Sequence, residues 1–358
     1  MIKEIEILLR KLLLNIYLLF SKEQQKQSNL KLSAEDKILL IRLNKIGDAL
    51  VTTPLIKAIK ENIGCTIHVL ADKKNHFIFE NNKNIDKSFI FSKNSADIKS
   101  LKHSIQNENY KAVFDLHDDV SATVTLLISY LNIPNKVSFS KKTKRIYTHL
   151  IPHIDSSKYH VIERYVEFAK FLTLPVKQSE LRIDYQPKQS SIESAVKFYK
   201  QNFSEDKFYV GINISAGSEA RFWGVNRYQK LISYFSKYNV NLLLFCTPKD
   251  KHLADQISQN RIKIFANPVF DVFAAAISKL DFLFTPDTSV VHLASAFNIP
   301  MFGIFVKYKT ENMVWYPYNT KHELIITEEA NFNNLDFEQV IEQLKIFFEQ
   351  IYNGKRNS

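Results

Sequence analysis

Short apolar runs of strand length alternate with longer amphipathic stretches along most of the chain. The first set consists of an apolar run over residues 37–43, a helical pattern over 48–62 and a second apolar run over 66–70. Such alternation predicts a parallel sheet covered by helices. The alternation continues with strands at 88–91 and 112–116 and helices at 98–106, 121–131 and 159–172.

The pattern breaks near residues 174–179, where Pro175 and polar residues interrupt it, and a second series of strands and helices follows. Two such series predict an α/β protein with two doubly wound, Rossmann-like domains facing a cleft. Ligands bind beyond the carboxyl ends of the strands in such sheets, so the loops there carry the candidate chemistry. We predict domains at residues 36–175 and 176–358.

Residues 1–35 are predicted to form an N-terminal extension that consists of an amphipathic helix and a linker. The apolar stretch 5–20 contains Arg10 and Lys11 and is too interrupted for the roughly 20 apolar residues of a membrane-spanning helix. It also lacks a small-residue cleavage site, which argues against secretion. Two interpretations remain open, a helix lying on an anionic membrane and a helix packed on the protein.

Composition narrows the class of protein. A hydrophobic content of 45% indicates a globular chain, and the formal net charge of +11 favours polyanionic partners such as nucleic acid, anionic lipid or phosphorylated sugars. The two cysteines, Cys65 and Cys246, are far apart within apolar runs, which indicates buried thiols in a reducing compartment. Neither a disulfide framework nor a metal site is expected.

Asp48 is the first candidate for chemistry, since it follows the exit loop of the first strand and lies at the start of a helix. An N-cap is the more common role of a carboxylate at such a position. The alternative is a general base at the mouth of the sheet, facing the cleft.

Polar groups also concentrate in the segment 285–294, where an apolar strand leads into a helix. The helix dipole and the free amides at such a junction favour a phosphate. The candidate ligands there are Asp287, Thr288, Ser289 and His292. The alternative is a capping Asp beside a half-buried His.

Segment 215–223 again follows a strand, and it combines small residues, which allow close backbone approach, with the cation Arg221. These features suit a phosphate group, although a solvated loop is the usual alternative. Basic residues gather at 136–145 as well. They are compatible with a nucleic-acid patch, a phosphorylated ligand or a solvated loop, and no recognisable nucleic-acid-binding fold accompanies them.

Five segments in this order resemble glycosyltransferase family 9, the heptosyltransferases of the lipopolysaccharide inner core. The similarity extends from about Lys37 to Tyr318. It rests on Ile38 to Arg42 with Gly47-Asp48 and Thr52 to Leu55, on Phe114 to His117, on His160 to Tyr165, on Asn213 to Trp223, and on Asp287-Thr288 with His292 to Ala294.

The resemblance implies a GT-B architecture and an inverting transferase that needs no metal ion and no cofactor. Its donor is expected to be ADP-heptose, bound mainly by the C-terminal domain, and its acceptor the Kdo- or heptose-bearing core of lipopolysaccharide. By the same resemblance Asp48 is the general base, and the donor is bound by Arg221, Asp287, Thr288, Ser289 and His292. The phosphate-rich acceptor is assigned to Lys141, Lys142 and Arg145.

The resemblance also implies a cytoplasmic protein, peripheral on the inner membrane, with no nucleic-acid partner. Some positions depart from the family pattern, because Ser289 stands where glycine is common and His117 is followed by two aspartates. These departures keep open a transferase of a different sugar in surface-polysaccharide assembly. A non-catalytic protein that binds anionic lipid is the alternative from another class.

Overall fold

Two parallel sheets carry the fold in the computed structural model, which describes residues 12–92, 94–203 and 207–356. The chain divides into two compact units. The N-terminal unit comprises Met1–Asp155 and Val161–Asp184, and the C-terminal unit comprises Ser156–His160 and Tyr185–Ser358.

The sheet of the N-terminal unit has six strands in the order β3-β2-β1-β4-β5-β6, all parallel. Its strands are rich in residues such as Ile, Leu and Val that are buried on both faces, as parallel sheets require. The strands are β1 Lys37–Arg42, β2 Thr66–Asp72, β3 Lys87–Phe91, β4 Ala112–Asp115, β5 Asn135–Phe139 and β6 His149–Ile151.

Helices cover both faces of this sheet, as predicted for a doubly wound unit. They are α1 at residues 12–20, α2 Ile46–Leu50, α3 Thr53–Ile63, α4 Phe77–Glu80, α5 Ser95–Gln106, α6 Ala122–Tyr130 and α7 Val161–Phe171, with 3₁₀ turns at Lys144–Ile146 and Gln178–Glu180.

The single helix expected over residues 48–62 is wrong, because the chain forms α2 and α3 with a break between them. Pro54 lies in the first turn of α3, and its ring is incompatible with the interior of a continuous helix. The hydroxyls of Thr52 and Thr53 instead donate to the carbonyls of Ala49 and Leu50, each at 2.7 Å. The break confines Asp48 to a helix of about one turn.

Helix α1 packs on the N-terminal unit through one face. Leu14 is buried, and Tyr17 and Leu18 pack against the core that lies around Ile146 and Tyr147. The packed-helix interpretation therefore holds for this face, and residues 1–11 of the predicted extension lie outside the described residues. Among the helices that the structure describes, none combines the length and the apolar character needed to cross a bilayer.

The sheet of the C-terminal unit also has six parallel strands, in the order β12-β11-β10-β7-β8-β9. The strands are β7 Phe208–Asn213, β8 Val240–Cys246, β9 Lys263–Ala266, β10 Phe282–Pro286, β11 Met301–Val306 and β12 His322–Thr327. The helices are α8 Gln189–Asn202, α9 Val225–Phe235, α10 Lys251–Ser258, α11 Phe270–Ile277, α12 Val290–Phe297 and α13 Phe337–Arg356, with 3₁₀ turns at Glu219–Arg221 and Pro248–Asp250.

The strand order reverses once in each sheet, between β1 and β4 in the N-terminal unit and between β7 and β10 in the C-terminal unit. The prediction of two doubly wound parallel sheets is therefore confirmed. Loops diverge from the carboxyl ends of the strands at such a reversal and leave a crevice there, which makes these two points the expected ligand sites.

Candidate active site

The reversal point of the N-terminal sheet brings together charged residues from two neighbouring strands. Arg42 ends β1 and Asp115 ends β4, and the two strands pair in parallel. Asp48 follows β1 in the short helix α2. The acidic candidate from the sequence therefore lies at the position where a doubly wound sheet binds its ligand.

Arg42 fixes the orientation of Asp48. The arginine is 1% exposed. Its Nη2 donates to Asp48 Oδ1 at 2.9 Å, and its Nε donates to the Asp48 carbonyl at 3.2 Å. Asn44 Nδ2 makes a long contact of 3.4 Å to the same Oδ1. In the described part of the chain Asp48 Oδ2 has no hydrogen-bond partner, so this oxygen is available to take a proton.

The N-cap interpretation of Asp48 is wrong. Helix α2 begins at Ile46, its N-cap residue is Lys45, and no side chain caps it. The loop before it is held from the other side by the buried Asn75, whose Nδ2 donates to the carbonyls of Arg42 and Asn44.

A second, fully buried network stands beside this pair. Asp115 Oδ1 accepts from His117 Nδ1 at 2.7 Å, and Oδ2 accepts from Lys141 Nζ at 2.7 Å and from the Tyr147 hydroxyl at 2.5 Å. His117 Nε2 accepts from the Leu43 amide at 3.1 Å. The neutral ring therefore carries its proton on Nδ1, and the network ties the end of β4 to the end of β1.

The burial of this network perturbs its acid–base chemistry. Burial opposes the charge on Asp115, but the Lys141 ammonium and the hydrogen bonds from His117 and Lys141 outweigh it and hold the pKa of Asp115 well below its usual range. Burial lowers the pKa of His117, and Asp115 offsets this only in part. The histidine is therefore neutral near pH 7.

The three basic residues assigned to the acceptor are in different environments. Lys141 points inward, with its side chain 5% exposed and its ammonium on Asp115. Lys142 is exposed, and Arg145 is half-buried. The segment that carries them begins in β5, where Phe139 is part of the core, so the expected basic loop starts only after that strand.

In the C-terminal unit the reversal point is built from polar side chains on two adjacent strands. Asn213 ends β7 fully buried, and its Nδ2 donates to Thr285 Oγ1 at 2.9 Å, with a longer contact of 3.4 Å to Thr288 Oγ1. Thr288 Oγ1 also accepts from the Val290 amide at 3.2 Å. These bonds connect the end of β7 to the start of α12.

The two donor-binding segments predicted from the sequence meet in this unit. Arg221 Nη1 donates to Asp287 Oδ2 at 3.0 Å and to the Asp287 carbonyl at 3.1 Å. The Arg221 side chain is 37% exposed, so solvent and a ligand can reach it. An anionic ligand would find a cation already oriented at the mouth of the sheet.

Trp223 anchors the loop that carries Arg221. Its ring is fully buried and stacks near Phe284 and Phe337, and its Nε1 donates to the Leu335 carbonyl at 2.9 Å. Gly224 then turns the chain into α9 with φ of 102°, a conformation that side-chain-bearing residues rarely adopt.

Ser289 and His292 complete the segment at the start of α12. Ser289 is the N-cap residue of this helix, so Asp287 precedes the cap rather than forming it. His292 is 4% exposed, one turn into the helix, and its ring lies 6.1 Å from that of Trp315. The half-buried histidine of the alternative interpretation is in fact buried.

A further polar group in this unit has no assigned role from the sequence. Ser215 Oγ donates to Asp250 Oδ2 at 2.5 Å, and Thr247 Oγ1 donates to the same oxygen at 2.8 Å. The available signal was that polar residues follow β7 and β8 directly. Among the described residues, no group of three or more His, Cys, Asp or Glu side chains is arranged to hold a metal ion.

Two Rossmann-like units of this kind are the architecture of GT-B glycosyltransferases. The sequence model of glycosyltransferase family 9 (heptosyltransferase) matches residues 98–345, and the chain belongs to this family.

Individual relatives are distant. The chain is 23% identical over 296 residues to lipopolysaccharide heptosyltransferase 3 of Escherichia coli K12, covering 76% of this chain and 82% of that one. The glycosyltransferase family 9 structure from Veillonella parvula superposes with a TM-score of 0.77 at 17% identity, covering 90% and 100%. The E. coli heptosyltransferase WaaC, solved with ADP-2-deoxy-2-fluoro heptose, superposes with a TM-score of 0.68 at 18% identity. The match covers 86% of this chain and 99% of that one.

Proposed function

We propose that this protein transfers heptose from ADP-heptose to the inner core of lipopolysaccharide, with inversion at the anomeric carbon. The observation that carries the proposal is that the predicted catalytic and donor-binding residues lie at the reversal points of the two sheets. The heptose analogue bound in the WaaC structure supports the choice of donor. The similarity to lipopolysaccharide heptosyltransferase 3 supports the choice of acceptor.

In the proposed reaction the acceptor hydroxyl attacks the anomeric carbon of the donor as the bond from that carbon to the diphosphate oxygen breaks. Asp48 Oδ2 takes the hydroxyl proton, which is general base catalysis worth about 10²–10⁴ in rate. Arg42 acts by holding Oδ1, so that the second oxygen keeps one direction. This arrangement needs no movement of Asp48 during the step.

The bond electrons leave with the diphosphate, and Arg221 stabilises the charge that develops there. In the proposed complex a phosphate competes with Asp287 for the guanidinium, and the Asp287 carboxylate accepts from a sugar hydroxyl. Thr288, Ser289 and His292 are proposed to bind the same diphosphate beside the start of α12. No step of this scheme uses a metal ion.

The acceptor is proposed to bind to the N-terminal unit, with Lys142 and Arg145 as its cationic contacts. We place the enzyme at the cytoplasmic face of the inner membrane as a peripheral protein, where the net charge of +11 supports contact with anionic headgroups.

A second candidate is transfer of a different sugar in surface-polysaccharide assembly. One observation favours keeping it: the Lys141 ammonium is bound by Asp115, which leaves fewer cations for a phosphate-rich acceptor.

The donor and acceptor are tested by incubating the purified protein with ADP-, UDP- and GDP-linked sugars and truncated lipopolysaccharides. Products are identified by mass spectrometry. We expect the acceptor to gain the mass of one heptose, and only when ADP-heptose is the donor. Transfer of another sugar, or from another nucleotide, would support the second candidate and reject the first.

A further inference from the structure

Helix α1 presents a second apolar face that nothing in the described structure covers. The five large side chains on this face are Leu12, Leu13, Ile16, Leu19 and Phe20. Leu19 and Phe20 are 73% and 87% exposed, the highest exposures among the large apolar side chains of the described residues.

The two faces of α1 separate cleanly by helical geometry. At 3.6 residues per turn, the exposed positions 12, 13, 16, 19 and 20 lie within one third of the circumference. The buried or half-buried positions 14, 17 and 18 lie on the opposite side. The exposed apolar face is therefore directed away from the N-terminal unit.

This orientation is fixed by the segment that follows the helix. The amides of Gln24 and Gln27 donate to the carbonyls of Arg145 and Thr148, each at 2.9 Å. Lys26 Nζ donates to the carbonyls of Lys144 and Tyr147 at 2.8 and 2.9 Å. The helix is thus docked on the unit from both its packed face and its carboxyl end.

The same bonds bring basic residues close to the carboxyl end of α1. Lys22 follows the helix directly and is exposed, and the segment 144–148 that accepts these bonds begins with the exposed Lys144. An apolar helix face with cations at its border is the arrangement of proteins that lie in the interface of an anionic bilayer.

We propose that the exposed face of α1, together with Lys22 and Lys144, is the surface by which the protein docks on an anionic lipid bilayer. A second copy of the chain is a poorer fit for this surface. Five side chains are far fewer than the roughly 20–30 residues that each partner contributes to a standard protein interface. The proposal deepens the peripheral membrane location given under the proposed function and rests on it.

The test is flotation of the full-length protein with vesicles of phosphatidylcholine alone or mixed with phosphatidylglycerol, without donor or acceptor. Failure of binding therefore leaves the transferase proposal untouched. We expect binding to the anionic vesicles only. The double variant L19S/F20S should lose at least tenfold in vesicle affinity, because it removes the two most exposed apolar side chains.

Ile346→Ser is the matched control, since Ile346 is 61% exposed on α13 of the C-terminal unit and should not affect binding. The charge reversal K22E/K144E should weaken binding to anionic vesicles, as should high salt. Circular dichroism melting of L19S/F20S should match that of the wild type, because neither side chain is buried.

Three results would overturn the proposal. The first is an absence of vesicle binding by the wild type, and the second is unchanged binding by L19S/F20S or by K22E/K144E. The third is a sedimentation experiment in which L19S/F20S converts a dimer to a monomer, which would assign this face to a second copy.

Discussion

Replacing Lys141 by Met tests whether the buried network is structural. Lys141 Nζ lies 2.7 Å from Asp115 Oδ2, and both side chains are at least 95% buried. Removing one partner of a buried ion pair costs about 3–5 kcal/mol. His117 and Tyr147 still donate to Asp115, so we expect the lower end, about 3 kcal/mol of the 5–15 kcal/mol typical of a folded domain.

Urea unfolding followed by far-ultraviolet circular dichroism measures this loss. With a slope of about 1–3 kcal/mol per molar urea, the transition of the N-terminal unit should shift by at least about 1 M. Trp223 and Trp315, the two tryptophans of the chain, both lie in the C-terminal unit, so their fluorescence reports whether that unit unfolds separately.

Lys142→Met is the control, because Lys142 is the exposed neighbour and its loss should change stability by at most about 0.5 kcal/mol. Unfolding of Lys141→Met at the same urea concentration as the wild type would refute a structural role for the network. If that variant instead raised the KM for the acceptor at unchanged stability, Lys141 would be a ligand of the acceptor.

Three further predictions concern the two sites. Arg221→Met should weaken donor binding by tenfold or more in calorimetry, with partial recovery in Arg221→Lys, because a charge-assisted hydrogen bond contributes about 1.5–3 kcal/mol. Gly217→Ala should leave the melting temperature unchanged, since open space surrounds that position, but it should weaken donor binding if the diphosphate approaches this backbone. Gly211→Ala should instead lower the free energy of unfolding by about 1–3 kcal/mol, because its Cβ would clash with a neighbouring side chain. Acidification should destabilise the N-terminal unit in two stages: below about pH 6.5 the unfolded chain protonates His117 while the folded state resists, and below about pH 4 the stabilisation from Asp115 is progressively lost. Urea titrations between pH 3 and 8 measure both stages, and flat stability across this range would contradict them.

The apolar runs of the sequence predict β1 to β4, whereas β5 and β6 are not predicted. β5 begins with the polar, partly buried Asn135 and Lys136 and also contains Ser138, and β6 has only three residues. Their apolar pattern is too brief to separate from a loop. β5 is specified by pairing with β4, and β6 is specified by pairing with β5 at the edge of the sheet. The sequence does not reveal either pairing.

The candidate site was predictable where single segments carry the signal. The segments containing Arg221 and Asp287 each follow a strand, which is the signal that indicated a ligand site. That each segment binds the donor stays a prediction. Their mutual ion pair joins residues 66 positions apart, and it depends on β7 and β10 being neighbours. For the same reason the sequence does not predict the role of Asn213, which ends β7 and donates to Thr285 on β10.

Orientation was the least predictable property. Lys141 and Lys142 are identical in type and adjacent in sequence, yet one is buried on Asp115 and the other is exposed. Which of them points inward is decided by the turn after β5 and by the position of a carboxylate on another strand. The contact of Arg42 with Asp48 could not be predicted for a related reason, because an Arg at the end of an apolar strand does not indicate its partner.

The most direct test of the central claim is Asp48→Asn, which keeps an oxygen for Arg42 but removes the base. Donor binding is measured by calorimetry with ADP-heptose, and transfer is measured by mass spectrometry of a truncated lipopolysaccharide acceptor. We predict unchanged donor affinity with transfer reduced by at least about 10²-fold. Wild-type turnover in this variant would contradict the account.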